Sequence, residues 1–231
     1  NINKNCGAMV PNKLSELTVK NKADLGLSFD GDADRVIVSD EKGNIIDGDI
    51  ILAAISKFYD GKGKKNSIVS TKMSNLSFRE FLKKNSIKLY LTDVGDRYVI
   101  KKMKSSKINL GGEPSGHIIF SENGYCGDGI LTSLYLIDII LRKKFKFSYL
   151  SENLFSKNFQ KLVNLKLKNE VEDIMSNSFV KTKIETLSKV FPDIDYLIRK
   201  SGTENLLRIM VQSKNKKDAQ KFLKDITKLV L

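Results

Sequence analysis

Between Ala23 and Arg142 the hydrophobic period switches repeatedly between two and about 3.6, and this alternation narrows the fold more than any other feature of the chain. Leu25, Leu27 and Phe29 alternate as a strand requires, and the run that starts at Ala23 stops at Asp30-Gly31-Asp32. Val36–Val38 and Asn44–Ile46 read as a hairpin about Lys42-Gly43. From Asp49, read as an N-cap, Ile50, Ala53, Ala54 and Phe58 fall at helical spacing. Strands are predicted at 67–70, 88–91 and 117–120, and helices at 76–84, 96–104 and 128–142. Strand and helix in turn specify an α/β unit. Residues 143–147 read as the boundary to a smaller α+β unit, with strands at 161–168, 196–198 and 206–211 and helices at 170–190 and 216–229. The chain opens at Asn1 on residues that read as a strand.

Composition removes several function classes. At 41% hydrophobic and 29% charged residues, the 231-residue chain has enough apolar content to bury a core, which sets disorder aside. The longest apolar stretch, Ile130–Leu141, contains Asp138 and is shorter than the roughly 18 residues of a membrane span, so no membrane partner is expected. Cys6 and Cys126 supply neither a disulfide framework nor a paired metal spacing, and no signal peptide opens the chain, so the expected location is cytoplasmic. The net charge of +13 raises nucleic acid as a partner, but the lysines are scattered, Trp is absent and few aromatics interleave with them. Nucleic acid is therefore not an expected partner.

Charge placement says more than its sum. Asp24, Asp30, Asp32, Asp34, Asp40, Glu41, Asp47 and Asp49 face only Arg35 and Lys42 in that stretch. Within it, Asp30-Gly31-Asp32-Ala33-Asp34-Arg35 alternates carboxylates with the two smallest residues, which lets the oxygens converge on one hard cation, Mg²⁺ or Ca²⁺. Asp30, Asp32, Asp34 and Glu41 take positions one, three, five and twelve of an EF-hand spacing, but Arg35 stands where that loop needs Gly and the flanks read as strands. A metal beside a bound phosphate fits better; the bland alternative is an acidic surface turn.

Four of the six arginines, Arg35, Arg97, Arg199 and Arg208, lie in or beside glycine-containing turns, where a planar guanidinium can grip phosphate or carboxylate. Arg199-Lys200-Ser201-Gly202-Thr203 with Arg208 has the parts of a phosphate clamp, the alternative being a β-turn with solvated arginines. Gly111-Gly112-Glu113-Pro114-Ser115-Gly116-His117 gathers a carboxylate, a hydroxyl and the chain's single histidine on one loop able to grip sugar hydroxyls, or simply to turn. Val94-Gly95-Asp96-Arg97 opens a helix where an anion could meet the dipole.

In order, FDGDADRV, STKMSN, VGDRYV, GGEPSGHIIF, GDG around Asp128 and RKSGTENLLRIMV resemble the motifs of the α-D-phosphohexomutase superfamily, and nearly the whole chain resembles its phosphoglucosamine mutase family. The resemblance implies an α/β fold of mixed-sheet phosphohexomutase-type domains followed by a smaller, TATA-binding-protein-like α+β domain. Of four family domains, residues 1–47 would end the second with the metal loop, 48–147 would form the sugar-binding third, and 148–231 the phosphate-binding fourth. The first, with its phosphoserine, would lie outside this sequence, so the chain alone is expected to be inactive.

The resemblance assigns Mg²⁺ to Asp30, Asp32 and Asp34, the transferred phosphoryl group to Arg35, sugar hydroxyls to Glu113 and Ser115 with His117 nearby, and the substrate phosphate to Arg199, Ser201, Gly202, Thr203 and Arg208, with Arg97 in support. It implies interconversion of glucosamine 6-phosphate and glucosamine 1-phosphate for cell-wall precursor synthesis, through a phosphoserine and a glucosamine or glucose 1,6-bisphosphate. The alternatives are a phosphomannomutase or phosphoglucomutase and a non-catalytic sugar-phosphate-binding fragment. The expected partner is a small-molecule sugar phosphate, with a homodimer the only macromolecular assembly considered. Ala33 and Lys200 replace a common Gly and Pro, Asn205 another Pro, and Cys126 a common Thr.

Overall fold

The computed structural model describes residues 2, 4–59, 66–166, 174, 176–201 and 205–231. The chain packs as two units, Asn1–Ser156 and Lys157–Leu231. In the first, helix α1 (Asn12–Lys20) precedes strands β1 (Leu25–Phe29), β2 (Val36–Asp40) and β3 (Ile45–Ile46), which form an antiparallel sheet in that order. Phe29 pairs with Val36, so the chain leaves the ladder at Asp30 and rejoins it after Arg35. The acidic motif is thus the connection between two paired strands.

Helix α2 (Gly48–Phe58) is buried from Gly48 to Ile55. A second sheet runs β5 (Lys88–Thr92), β4 (Ser67–Thr71), β6 (Leu110–Gly112), β7 (Ile118–Phe120). In it β4 is parallel to β5 and β6, while β7 is antiparallel to β6, which makes the sheet mixed. Helices α3 (Leu76–Lys84), α4 (Asp96–Ser106) and α5 (Gly129–Lys143) alternate with these strands. Ile51, Leu52 and Ile55 of α2 share one core with Ile68, Phe78, Leu82, Leu110, Ile118, Phe120 and Leu136. Burying side chains of this size is worth about 1.5–3 kcal/mol each.

Several elements differ from the sequence reading. The N-cap of α2 is Asp47, which accepts from Ile50 N at 3.3 Å, and Asp49 lies inside the first turn. Helix α1 was not expected: it follows Pro11, has no side-chain cap and buries only Thr18, so its apolar pattern is weak. Strand β6 carries two glycines and therefore no β-propensity signal. At the opening of the chain Ile2 is in a turn and Lys4 and Asn5 in a bend, not a strand, with Asn1 and Asn3 outside the described residues. Helix α6 (Ser148–Asn153) packs with the first unit. Ser148 donates from N and Oγ to Glu41, at 3.0 and 2.5 Å, and Ser151 Oγ donates to Asp40 at 2.5 Å, so residues beyond the expected boundary at 147 are tied back to the β2–β3 hairpin.

The second unit holds the antiparallel sheet β8 (Phe159–Lys166), β10 (Leu206–Ser213), β9 (Asp195–Lys200), with helices α7 (Ser178–Val190) and α8 (Lys216–Val230). Phe222 and Ile226 of α8 join Leu207, Ile209 and Val211 in its core. Asn177 caps α7, accepting from Phe179 N at 2.9 Å, so the expected helix is interrupted there, with Ile174 and Ser176 helical before it. Positions 167–168 of the expected strand and 170–173 and 175 of the expected helix lie outside the described residues. The chain is thus mixed-sheet α/β followed by a smaller α+β unit. Among the described residues no helix is long and apolar enough to cross a membrane.

Candidate functional site

The loop from Asp30 to Arg35 curls because Ala33 takes a left-handed backbone, φ 59°, a conformation in which glycine is cheaper. The curl brings one oxygen each of Asp30, Asp32 and Asp34 within 4.8 Å of one another. Arg35 seals one side: its backbone N donates to Asp30 Oδ1 at 3.1 Å, and its Nε stands 3.4 Å from Asp30 and 3.5 Å from Asp34. Burial first, then contact with the Asp30 carboxyl, raises the pKa of Asp34 against the pull of His117 and Arg35. Asp34 Oδ1 is buried, 3.5 Å from Arg35 Nε, and receives no hydrogen bond among the described residues. Crowded carboxylates with an open buried oxygen fit a hard divalent cation such as Mg²⁺, whose ligands are oxygens.

The Gly112–His117 loop meets this acidic loop directly. Arg35 and His117 form an antiparallel bridge, Val36 N donates to Gly116 O at 3.2 Å, and Gly129 N donates to Ala33 O at 2.9 Å. Gly116, at φ 89°, lies where a Cβ would stand 2.1 Å from Val36 O. His117 Nδ1 lies 3.0 Å from Asp34 Oδ2, so the histidine expected beside the sugar is in contact with the carboxylate cluster. Glu113 and Ser115 are half-buried on the same loop. Beneath it, Ser70 Oγ donates to Gly112 O at 2.8 Å and pairs with Ser74 Oγ at 2.7 Å, while Asn75 N donates to Asp49 Oδ2 at 2.8 Å. Asp49 is the residue the sequence reading misplaced; the Asp47-Gly48-Asp49 repeat of Asp30-Gly31-Asp32 was the available signal.

Arg97 is exposed in the first turn of α4, where its Nη2 donates to Tyr98 OH at 2.8 Å, so the structure does not bring it to the carboxylates. In the second unit Arg199 and Arg208 are directly opposite each other on β9 and β10. Like charges so placed repel, an arrangement that a bound dianion relieves. Ser201 follows β9, 3% exposed, its N donating to Leu206 O at 2.8 Å and its Oγ without a partner among the described residues. Gly202 and Thr203 of the expected clamp lie outside the described residues.

Two family models match the chain: phosphoglucomutase/phosphomannomutase α/β/α domain III over residues 47–158 and the C-terminal domain of the same family over 162–229. Phosphoglucosamine mutase of Caldanaerobacter subterraneus subsp. tengcongensis is 45% identical over 233 residues, 99% of this chain and 52% of that protein. The protein of that name from Clostridium botulinum (strain Kyoto / Type A2) is 43% identical over 234 residues, 100% of this chain and 52% of that protein. Among solved structures, Aspergillus fumigatus N-acetylphosphoglucosamine mutase in complex with GlcNAc-6P and magnesium superposes with a TM-score of 0.77 at 20% identity, covering 99% of this chain and 53% of that one. A serine-to-alanine variant of that enzyme, in complex with glucose 1,6-bisphosphate, gives 0.76 at 20% identity, covering 99% and 52%. The chain spans about half the length of the curated relatives it matches. With two consecutive domain models of one family matched in order over residues 47–158 and 162–229, the chain belongs to the phosphoglucomutase/phosphomannomutase family.

Proposed function

We propose that this chain supplies the metal-, sugar- and phosphate-binding parts of a phosphoglucosamine mutase, which interconverts glucosamine 6-phosphate and glucosamine 1-phosphate through a phosphoserine and a 1,6-bisphosphate. The observation that carries the reading is the convergence of Asp30, Asp32 and Asp34 within 4.8 Å beside Arg35. The names of relatives at 42–45% identity favour the amino sugar over mannose or glucose.

Asp30, Asp32 and Asp34 would hold Mg²⁺, which when bound neutralises charge on a phosphoryl oxygen. Arg35 places its guanidinium beside the same carboxylates, where it can follow charge developing on the transferred group. Glu113 and Ser115 orient the sugar through its hydroxyls, and Arg199, Ser201 and Arg208 hold the phosphate that is not reacting. Because the sugar phosphate must present either end, the same clamp serves both half-reactions.

Isothermal titration of glucosamine 6-phosphate into the chain and into Arg208→Ala tests this. Charge-assisted hydrogen bonds are worth about 1.5–3 kcal/mol, so the variant should bind about ten- to a hundredfold more weakly, and lysine should restore only part of the loss. Equal affinities, with both proteins folded by circular dichroism, would end the clamp reading. Tighter binding of mannose 6-phosphate than of glucosamine 6-phosphate would move the assignment to the phosphomannomutase branch.

A further inference from the structure

We propose that His117 is a positioning residue for the cation site, holding Asp34 through Oδ2 so that Oδ1 remains available as a ligand. The inference rests on the cation reading above. Its basis is a chain of contacts between two loops far apart in sequence. His117 Nδ1 lies 3.0 Å from Asp34 Oδ2, with the imidazole 7% exposed and the Asp34 side chain 30% exposed. Its Nε2 is buried and has no hydrogen-bond partner among the described residues, so among them the Nδ1 contact is the ring's one polar anchor. An Asp34 that ligates a cation is ionised and its oxygens only accept, so in that state Nδ1 is the donor of the pair.

The backbone holds the ring in place. The Arg35–His117 bridge sets the register of the two loops, and Gly127 lets the chain pass close to the imidazole: a Cβ there would stand 2.5 Å from His117 Cε1 and 2.6 Å from Nδ1. Asp34 has Oδ2 against the imidazole, while Oδ1 is buried 3.5 Å from Arg35 Nε and, among the described residues, accepts no hydrogen bond. Ligating carboxylates are commonly oriented in this way by a hydrogen bond from a neighbouring group, and losing such a partner costs about 10–100-fold in metal affinity. A histidine that only filled core volume would make no difference to the cation.

The test uses Mn²⁺ as the probe, titrated into the chain at constant pH and followed by the electron paramagnetic resonance signal of the free ion. His117→Phe keeps a ring without the donor, and His117→Asn returns an N–H near the place of Nδ1. Phe should weaken Mn²⁺ binding at least tenfold, and Asn should recover affinity to within about threefold of the parent. Phe binding as tightly as the parent, or Asn binding as weakly as Phe, overturns the proposal. Should Phe fail to fold by circular dichroism, His117→Leu takes its place with the same expectation. If the parent chain binds Mn²⁺ no better than Asp32→Asn, the cation reading itself falls and takes this one with it; equal binding by parent and Phe sinks the positioning role alone.

Discussion

Replacing Asp49 by Asn should make the protein less stable at pH 4 and more stable at pH 8, a reversal that follows from where the carboxyl is held. Asp49 is 1% exposed in the first turn of α2, and burial pushes its pKa from 3.8 up to about 7, against the backbone N–H of Asn75, the Ser74 hydroxyl and the charge of Arg79, which all pull it down. In the folded state the proton stays on until about pH 7, whereas in the unfolded chain it leaves near 3.8. Between those values the native state binds the extra proton, so stability falls as pH rises through this window and levels off above it. A shift of about three units is worth at most about 4 kcal/mol. Asn keeps an acceptor for Asn75 N but brings an N–H₂ group into a dry place, at a cost of about 1 kcal/mol. The variant should therefore be about 1 kcal/mol less stable near pH 4 and about 3 kcal/mol more stable near pH 8.

Urea unfolding followed by far-UV circular dichroism, at steps from about pH 3.5 to 8.5, measures this. The unit from Lys157 onward is the same in both proteins, so its own transition cancels in the difference between them. Parent and variant curves that run parallel across this range would refute the reasoning, since they would show that Asp49 ionises alike in the folded and unfolded chain.

Two further outcomes follow from the acidic loop. Ala33→Gly should raise the melting temperature of the first unit by about 1–3 °C in calorimetry, because relief of left-handed strain, about 1–2 kcal/mol, exceeds the added chain entropy of glycine, about 0.5–1 kcal/mol; a lower melting temperature would show that the loop gains from its stiffer residue. Asp32→Asn removes an exposed carboxylate from the cluster, so it should leave the metal-free melting temperature unchanged and abolish most of the rise that Mg²⁺ produces in the parent, and an undiminished Mg²⁺ response would remove Asp32 from the ligand set.

What could be read from the residues was local. Three carboxylates separated by Gly31 and Ala33 converge because a short turn can hardly place them otherwise, and Asp128 caps α5 as its position before an apolar helical run suggests, accepting from Leu131 N at 2.8 Å. Asp47 and Asp49 are chemically equal candidates for the cap of α2, and only the distant Asn75 N–H decides that Asp49 turns inward. The end of the first unit was equally hidden, since Ser148 and Ser151 look like the polar start of a new segment until Glu41 and Asp40 claim their hydroxyls. The contact between His117 and Asp34 belongs to the same class. Its trace in the sequence is the glycines rather than the polar residues. A Cβ at Gly48 would stand 2.0 Å from Glu113 O, one at Gly116 2.1 Å from Val36 O, and one at Gly129 2.7 Å from Arg35 O. Each marks a place where two loop backbones touch and a side chain cannot fit between them. A chain read one residue at a time shows that such contacts exist; which loop meets which is settled by the register of β2 against β1 and of β7 against β6, because those ladders bring Arg35 and His117 to adjacent strand ends.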